Sequence, residues 1–405
     1  MNGWKARIDQ ALQQALSQNQ KRQRVVCEIK PQSEMMVAGR SYLNFSSNDY
    51  LGLSQHPDLL QIAMEAMREH GIGSGGSGHV TGYSAPLASL EQDLATWLGY
   101  ERAIVYPSGF TANQAIIKLL IAKGDRILAD KLSHASIMEA AMLSLGELRR
   151  FKHNDPTSLQ KLLSQSLLSE DAEQIVITEG VFSMDGDMAP LDALVNVIQD
   201  QALFMVDDAH GIGILGNQGR GTCDHFGIHP DILVVTFGKA AGCSGAAILL
   251  SAQLAEYFIQ SSRPLIYSTA IPPMQAAILR ASFTLIRGQI GDALRQKLRK
   301  NIHYFQNRMK DLLSEIPESH RLKSSLQLLP SDTPIQPLII GESDDALKVA
   351  DSLKQQGIWL SAIRPPTVPP KSARLRITIT ATHTAAMIDQ LIAAFHQVLF
   401  DAEYL

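Results

Sequence analysis

Lys239 and Asp207 are the two residues whose chemical types and spacing point most directly to catalysis. Lys239 lies in the turn TFGKAAGCSG, 32 residues after Asp207, which opens the motif DDAHG. Each follows a short apolar run that predicts a buried strand. Burying an ammonium group costs on the order of several kcal/mol, and forming an imine removes that charge. The pair therefore suits a cofactor held as a Schiff base with a carboxylate beneath its ring nitrogen, and a lysine that pairs with a phosphate or carboxylate is the alternative.

The residues that follow Asp207 must divide between two sides of the strand end. Alternation places Asp207 and Ala209 on one side and Asp208 on the other, so only one of the two acids is expected to face a ligand. A carboxylate under a pyridine nitrogen keeps that nitrogen protonated, which lets the ring accept electrons. The alternative for Asp207 is a helix N-cap. His210 is expected either to hydrogen-bond a ring hydroxyl group or to be a structural imidazole.

An anion site is predicted at Ser108, Gly109 and Phe110. These residues lie between the strand-like run RAIVY and a helix predicted to open near Thr111. Backbone amides at the start of a helix bind phosphate, and glycine lets them approach closely. Further candidate phosphate hydroxyls at strand ends are Thr236, Ser268 and Thr269, although such residues more often form turns.

Two other predicted strand ends carry candidate ring contacts. His134, in LSHAS, is expected either to stack over a pyridine ring or to pack as a turn histidine. Ser183, in TEGVFSMDGD, is placed to touch the ring oxygen, and Glu179 lies at the same strand end. Turn and cap chemistry is the alternative for both Ser183 and Glu179.

Candidate substrate contacts come from two further segments. The strand-like run RLRITIT places Arg374 and Arg376 on one face, and a guanidinium group matches an amino-acid carboxylate bidentately. One of the two is expected to hold substrate, and an exposed, charged edge strand is the alternative. Asn48, in NFSSNDYLGL, is expected to assist the same carboxylate. The GSGGSG stretch has the composition of a flexible linker, whereas the HVTGY that follows favours a loop close to a ligand.

Alternating strands and helices must position these side chains. From about residue 100, apolar runs without in/out alternation predict strands buried on both faces of a parallel sheet: RAIVY, DRILAD, EQIVITE, ALFMVDD, DILVVTF and GAAILLS. The polar motifs follow these runs directly, so they are expected to meet in one crevice at the carboxyl ends of the strands.

Three parts are predicted along the chain. Residues 1–45 form an amino-terminal helix and arm, 46–290 a large α/β domain, and 291–405 a smaller α+β domain with strands IQPLIIG, IWLSAI and RLRITIT. The first helix has apolar residues at helical spacing, among them Trp4, Ile8 and Leu12. It is expected to cap the body of the protein or a partner subunit.

Composition limits the functions that the chain can have. Its 405 residues are 45% hydrophobic and 19% charged, and the formal charge of −4 argues against a nucleic-acid binder. Three scattered cysteines without CxxC spacing indicate neither a disulfide framework nor a metal site. No signal-peptide core and no membrane-spanning stretch is recognised in the sequence. A cytoplasmic protein is therefore expected.

The chain resembles the α-oxoamine synthases, a pyridoxal-phosphate family that is similar to the class II aminotransferases, in an ordered series of motifs: NFSSNDYLGL, GIGSGGSGHVTGYS, SGFTANQA, LSHASI, TEGVFSMDGDMAPL, VDDAHGIGILG, TFGK, LIYSTAIPP, AIRPPTVP and RLRIT. The resemblance implies pyridoxal-phosphate fold type I, the aspartate-aminotransferase-like fold. This fold has a large domain with a mostly parallel sheet flanked by helices and a smaller carboxyl-terminal α+β domain.

The resemblance also implies a role for each candidate residue. Lys239 matches the imine lysine, Asp207 the pyridine partner, and His134 the stacking ring. His210 and Ser183 match the ring-oxygen contacts, and the phosphate contacts are matched by Gly109, Phe110 and Thr236. Arg376 matches the arginine for the amino-acid carboxylate, Thr367 the threonine near the acyl substrate, and Arg22 the amino-terminal arginine near bound substrate. The family usually has bulkier residues where this chain has Ala240 and Ala241, which predicts looser packing there.

The implied reaction is a decarboxylative condensation of L-alanine with a pimeloyl thioester of coenzyme A or of acyl-carrier protein. Family members are homodimers with sites at the subunit boundary, so Ser268 and Thr269 are expected to reach the phosphate of a neighbouring subunit. The alternatives on the same scaffold are glycine C-acetyltransferase, 5-aminolevulinate synthase, serine palmitoyltransferase and a plain aminotransferase. A cofactor-binding regulator without catalysis is an alternative of another class.

Overall fold

The computed structural model describes residues 2–17 and 21–400. Within them the helices are α1 (Asn2–Ser17), α2 (Pro57–His70), α3 (Ala85–Leu98), α4 (Gly109–Leu120), α5 (Ala135–Leu143), α6 (Pro156–Leu163), α7 (Leu191–Ile198), α8 (Thr222–Phe226), α9 (Ala252–Ser261), α10 (Arg263–Tyr267), α11 (Pro273–Arg287), α12 (Gln289–Glu315), α13 (Ser343–Gln355) and α14 (Ala385–Leu399). The strands are β1 (Glu28–Lys30), β2 (Glu34–Val37), β3 (Arg40–Asn44), β4 (Arg102–Tyr106), β5 (Arg126–Asp130), β6 (Glu147–Phe151), β7 (Gln174–Glu179), β8 (Leu203–Asp207), β9 (Ile232–Thr236), β10 (Ala246–Leu250), β11 (Gln327–Leu328), β12 (Ile335–Gly341), β13 (Ile358–Trp359), β14 (Ala362–Ile363) and β15 (Ala373–Thr378).

The chain divides into two compact units. The larger unit comprises Asn48–Ser183 and Asp187–Gln296, and the smaller one comprises Met1–Ser47, Met184–Gly186 and Lys297–Leu405. This grouping differs from the predicted division into 1–45, 46–290 and 291–405, because it joins the first segment to the last. Parallel pairing of β3 with β13 is one physical link between these two segments.

The larger unit is built on a seven-stranded sheet in the order β4-β10-β9-β8-β7-β5-β6. Strands β9, β8, β7, β5 and β6 pair in parallel, whereas β10 runs antiparallel to both β4 and β9. The predicted strands are present, and the mostly parallel sheet is confirmed. The sequence analysis missed β6, because its residues ELRRF are largely polar and partly exposed at the sheet edge.

One face of this sheet packs on helices α4, α5 and α9 through a continuous apolar core. Ile117 of α4, Ile137 of α5 and Phe258 of α9 are fully buried against strand residues such as Ile177 and Val234. Side chains of this size each contribute about 1.5–3 kcal/mol when removed from water. The core therefore fixes the strands whose carboxyl ends carry the polar motifs.

The smaller unit contains two four-stranded sheets, in the orders β1-β2-β3-β13 and β11-β12-β15-β14. The run RLRIT forms β15, which pairs with β12 on one side and β14 on the other, so the edge-strand alternative is wrong. The single strand predicted over IWLSAI is also wrong. Here the chain leaves the first sheet after Trp359 and joins the second at Ala362.

Helix α1 presents its apolar side chains to solvent. Trp4 is 71% exposed, and Ile8 and Leu12 are each more than half exposed. The expectation that this helix caps the body of its own chain is therefore wrong. Cover by a partner subunit stays a prediction.

The glycine-rich segment 71–83 is packed onto residues 259–270 of the larger unit. Ser74 Oγ donates to the carbonyl of Ala270 at 2.7 Å, and the amide of Ala270 donates to the carbonyl of Gly76 at 3.0 Å. A β-carbon on Gly82 would lie 2.1 Å from that carbonyl oxygen of Gly76. The segment is therefore a fitted loop and not a flexible linker.

Within the described residues, no helix is both long enough and apolar enough to cross a membrane. Over the same part of the chain, no group of three or more His, Cys, Asp or Glu side chains is placed to hold a metal ion.

Candidate functional site

A cavity of about 290 Å³ opens in the larger unit at the carboxyl ends of β7, β8 and β9. The predicted residues that line it are Ser108, Gly109, Phe110, His134, Asp207, His210, Thr236 and Lys239. Parallel strands bring these residues together because their carboxyl ends share one edge of the sheet. The structure therefore places the predicted cofactor residues around one space.

Lys239 is partly buried and lies three residues after β9. Its Nζ donates a hydrogen bond to Oγ1 of Thr236 at 3.1 Å. Thr236 is the last residue of β9 and is 7% exposed, so the amine is held at the edge of the sheet. An amine in this position can react with a carbonyl group that enters the cavity.

The carboxylate of Asp207 is buried at the end of β8. Its Oδ2 accepts from Nδ2 of Asn113 at 2.7 Å, and its Oδ1 accepts from the amide of Ala209 at 3.1 Å. No helix begins at Asp207, so the N-cap alternative is wrong. The carboxylate of Asp207 instead lines the cavity, and its two hydrogen bonds fix its orientation there.

Asp208 is fully buried but makes a different set of contacts. Its carboxylate accepts from the amide of Thr222 at 2.7 Å and from the hydroxyl of Thr222 at 2.5 Å. Burial raises the pKa of Asp208 to about 7, against the effect of these hydrogen bonds. Of the two neighbouring acids, only Asp207 lines the cavity, as the alternation predicts.

His134 both caps α5 and lines the cavity. Its Nδ1 accepts from the amide of Ser136 at 3.2 Å, and Oγ of Ser136 lies 2.8 Å from the same nitrogen. Desolvation lowers the pKa of His134, and the charge of Lys239 acts in the same direction while that of Asp207 opposes it. A neutral imidazole accepts at one nitrogen, which fits a ring that donates no proton to Ser136.

Asn113 links these groups and was missed from the sequence. Its Nδ2 donates to Oγ of Ser136 at 3.0 Å as well as to Asp207. It is 1% exposed on α4, a helix that is otherwise mostly apolar on its buried side. A polar residue on the apolar face of an amphipathic helix is the sequence signal that identifies such a position.

Tyr50 is a second residue that the sequence analysis missed. Its hydroxyl lies 2.6 Å from Nδ1 of His210 and donates to Oδ1 of Asn48 at 3.4 Å. Tyr50 and His210 are both buried. The tyrosine therefore fixes the orientation of the His210 ring beside the cavity. It also connects Asn48 to that ring, although Asn48 does not line the cavity itself.

Helix α4 directs its amino terminus toward the cavity. Ser108 is its N-cap, and the serine Oγ accepts from the amide of Thr111 at 3.1 Å. The helix therefore begins at Gly109, two residues earlier than predicted. A β-carbon on Gly109 would lie 2.7 Å from Cγ2 of Thr236, so glycine is needed for this approach. The arrangement can bind an anion through backbone amides.

Glu179 is the last residue of β7 and is also part of the cavity wall. Burial raises the pKa of Glu179 well above its ordinary value, and the nearby charge of Asp207 adds to that effect. Glu179 and Asp207 therefore lie on the same cavity wall, close enough for their charges to interact.

Besides Asn48, three predicted residues of the larger unit lie outside the lining of this cavity: Ser183, Ser268 and Thr269. Ser268 and Thr269 line a second cavity with Tyr83, Glu91 and other residues. Arg22, Thr367 and Arg376 belong to the smaller unit. The roles of these six residues stay predictions.

Arg374 and Arg376 are both buried in the smaller unit, but their partners differ. Nη1 of Arg374 donates to a carboxylate oxygen of Asp185. Nη1 of Arg376 donates to Oγ1 of Thr378 at 3.1 Å. An internal carboxylate therefore engages Arg374, and the substrate role of Arg376 stays a prediction.

The turn that follows Lys239 is tightly packed. Ala240 is 1% exposed, and a β-carbon on Gly213 would lie 2.8 Å from its β-carbon. Oγ of Ser282 donates to the carbonyl of Ala241 at 2.8 Å. Both alanines are therefore buried in this turn, and the expectation that they pack more loosely than the family's bulkier residues stays a prediction.

Comparisons with known proteins agree with this geometry. Residues 40–395 match the family described as Aminotransferase class I and II. The chain is 50% identical over 394 residues to the 8-amino-7-oxononanoate synthase of Cronobacter sakazakii, covering 97% of this chain and 98% of that protein.

Two solved structures extend the likeness to the fold. A serine palmitoyltransferase variant from S. paucimobilis with bound PLP–myriocin has a TM-score of 0.86 at 27% identity, covering 95% of each chain. An 8-amino-7-oxononanoate synthase from Francisella tularensis has a TM-score of 0.72 at 31% identity, covering 87% of this chain and 96% of that one. The predicted fold type I architecture is confirmed.

The turn after Lys239 gives a stability prediction. Gly242 has φ +66°, and a β-carbon there would lie 2.4 Å from the amide nitrogen of Ser54. We expect Gly242→Ala to lower the free energy of unfolding by about 2–5 kcal/mol, because left-handed strain adds to steric overlap. Denaturant unfolding measures this loss.

Gly227 provides the matched control. It has the same φ of +66°, and in the described part of the chain, its two neighbours in sequence aside, no atom lies within 4 Å of the position that a β-carbon would take. Gly227→Ala is expected to cost only the backbone strain, about 1–2 kcal/mol. Equal losses in the two variants would contradict the packing described for this turn.

Proposed function

The chain belongs to the family of class I and II aminotransferases, and we propose that it acts as an 8-amino-7-oxononanoate synthase of biotin biosynthesis. The observation that carries the proposal is the full-length likeness to curated enzymes of that activity. The reaction condenses L-alanine with a pimeloyl thioester. Its products are 8-amino-7-oxononanoate, carbon dioxide and the free thiol carrier.

The residues of the cavity fit pyridoxal phosphate. The amino terminus of α4 offers amides for the phosphate, and Gly109 keeps this terminus open beside Thr236. The buried carboxylate of Asp207 suits a protonated ring nitrogen, and Lys239 supplies an amine on the same cavity wall. Among the described residues, Asn113 Oδ1 is a buried acceptor without a hydrogen-bond partner, which also indicates a polar ligand.

Each residue then has a defined task. Pyridoxal phosphate supplies an electron sink that stabilises negative charge at the substrate Cα. Asp207 holds the ring nitrogen protonated, and Asn113 keeps that carboxylate oriented. His134 packs against the ring face, and His210, oriented by Tyr50, binds the ring oxygen together with Ser183.

Lys239 acts twice in this proposal. In the resting protein its amine would hold the cofactor, and once freed it would accept the proton that leaves the Cα of L-alanine. A carbon–carbon bond would form between Cα and the pimeloyl carbonyl carbon while the carbon–sulfur bond breaks, and the departing thiolate would take a proton from solvent. The Cα–carboxylate bond would break next with loss of carbon dioxide, and the ammonium group of Lys239 would return a proton to Cα.

The substrate contacts in this proposal are the ones that the family resemblance assigns. Arg376 binds the carboxylate of L-alanine, and Asn48 assists it. Thr367 is assigned to the acyl substrate, and Arg22 to a position near bound substrate. The pimeloyl group is carried by coenzyme A or by acyl-carrier protein.

A cytoplasmic location is part of the proposal. Cys27, Cys223 and Cys243 are all unpaired in the structure. Unpaired cysteines are typical of a reducing compartment.

We also propose a homodimer. Helix α2 exposes Leu60, Met64 and Met67, whose spacing places them on one face, and Met64 is 52% exposed. Exposed apolar faces of this kind mark contact sites. In the dimer, Ser268 and Thr269 contribute to the phosphate site of the partner subunit.

The function is tested by mass spectrometry of the products made from L-alanine and pimeloyl-CoA with pyridoxal phosphate. We expect 8-amino-7-oxononanoate, and little product when glycine replaces L-alanine, because one methyl group on the substrate is worth about 1–3 kcal/mol of discrimination. The likeness to serine palmitoyltransferase structures makes L-serine with palmitoyl-CoA the rival pair. A product from that pair alone would contradict the proposal.

The dimer is tested by the molar mass in solution. Wild-type protein is expected at twice the chain mass of 44.3 kDa. Met64→Glu is expected to shift it toward the monomer, because burying an unpaired carboxylate is unfavourable. Leu168→Glu is the control, since Leu168 is an exposed loop residue. A dimer that Met64→Glu leaves intact would exclude α2 from the interface.

A further inference from the structure

An ionic bridge lies in the larger unit, centred on His153. Its Nδ1 is 2.9 Å from Oδ1 of Asp130, and its Nε2 is 2.8 Å from Oδ2 of Asp187. A carboxylate can only accept hydrogen bonds, so both ring nitrogens of His153 donate and the ring is an imidazolium. One cation therefore joins two carboxylates that are far apart in sequence.

On one side the bridge holds the turn that leads to His134. Asp130 ends β5, and its Oδ1 also accepts from the amide of Leu132 at 2.8 Å. The carbonyl of Asp130 accepts from the amide of Ser133 at 3.1 Å. His134 is the next residue. The hydrogen bonds of Asp130 to Leu132 and Ser133 therefore constrain the short backbone turn that sets the position of His134.

On the other side the bridge holds the turn that follows β7 and contains Ser183. The carbonyl of Asp187 accepts from the amide of Phe182 at 3.0 Å. The ring of Phe182 packs edge-on against the ring of His153, with centroids 4.4 Å apart. Phe182 immediately precedes Ser183. His153 thus contacts both Asp187 and Phe182, the two residues that this backbone hydrogen bond joins next to Ser183.

The charges make the bridge costly to break. The side chain of Asp130 is fully buried, and removing its cation leaves a carboxylate held by two neutral donors, the amides of Leu132 and Asn154. Burial alone lowers the pKa of His153, but the hydrogen bonds and charges of Asp130 and Asp187 outweigh it and raise that pKa to about 10. Because the folded pKa is raised, the bridge is present at neutral pH and is lost as the pH rises through about 10.

We propose that His153 is a positioning residue. It fixes the turn that carries His134 and the turn that carries Ser183 in defined positions relative to one another. The inference rests on the proposed placement of those two residues at the ring of pyridoxal phosphate. His153 itself is assigned no contact with cofactor or substrate. Its effect is exerted through Asp130 and Asp187.

The test compares His153→Gln with wild-type protein in three measurements: the dissociation constant for pyridoxal phosphate, the visible circular dichroism of the bound cofactor, and the separate values of kcat and KM. Glutamine is uncharged and cannot bridge both carboxylates. We expect cofactor affinity to fall about tenfold, the dichroism to weaken, and kcat to fall about 10–100-fold with KM for L-alanine nearly unchanged.

His225→Gln is the matched control. His225 packs edge-on against Phe226, with centroids 5.0 Å apart, much as His153 packs on Phe182, and it is exposed. It is expected to leave all three measurements at wild-type values. A loss of the same size in both variants would overturn the proposal, because the effect would then come from removing an imidazole in general.

Asp187→Asn decides the question if His153→Gln does not fold. It removes the charge of Asp187 and leaves the pair of His153 with Asp130, and the Asp187 side chain is 32% exposed. We expect the same changes at about a third of the size on a logarithmic scale, which is about a twofold loss of cofactor affinity. Wild-type dichroism and affinity in this folded variant would overturn the proposal.

The outcomes also separate this inference from the proposed function. A wild-type chain that binds no pyridoxal phosphate would overturn both. A different amino-acid or acyl substrate would overturn the proposed function alone, because the affinity and dichroism of the cofactor do not depend on substrate. Unchanged dichroism with the expected product would overturn the inference alone.

Discussion

The site depends on a buried carboxylate, that of Asp207, which lies on the same cavity wall as the amine of Lys239. Taking a carboxylate out of water is costly, and the structure offsets that cost for Asp207 with the amide of Ala209 and the side chain of Asn113. Burial raises the pKa of the two neighbouring acids, Glu179 and Asp208, and the charge of Asp207 adds to the rise in both. The hydrogen bonds to Asp207 thus hold its carboxylate in place in the cavity wall.

Sheet topology explains why residues distant in sequence share this cavity. Strands β7, β8 and β9 are parallel neighbours, so Glu179, Asp207 and Thr236 emerge at the same edge. Lys239 then needs only a short turn to return to Thr236, and α4 approaches the same threonine because residue 109 is glycine. Apolar packing fixes the positions of the strands, and it therefore also fixes the positions of the polar residues at their ends.

Much of this arrangement could be predicted from the sequence. Apolar runs identified the central strands, and the residue types that follow them identified Lys239, Asp207 and the start of α4. The antiparallel direction of β10 could not be predicted, because its apolar run looks the same in either orientation. Strand β6 was missed because an edge strand needs no apolar face on its solvent side.

The supporting residues were harder to find than the chemical ones. Asn113 and Tyr50 lie within otherwise ordinary helix and turn sequences, and their roles depend on long-range contacts with Asp207 and His210. His153 likewise gains its role only when Asp130 and Asp187 are brought to it. Contacts of this kind depend on tertiary packing, and a single sequence contains no spacing rule for them.

The central claim is that the amine of Lys239 holds the cofactor. Its most direct test is borohydride reduction of the protein with pyridoxal phosphate, followed by proteolysis and peptide mass mapping. We expect a stable pyridoxyl label on the peptide that contains Lys239. A bound cofactor that labels another lysine, or leaves Lys239 unlabelled after reduction, would contradict it.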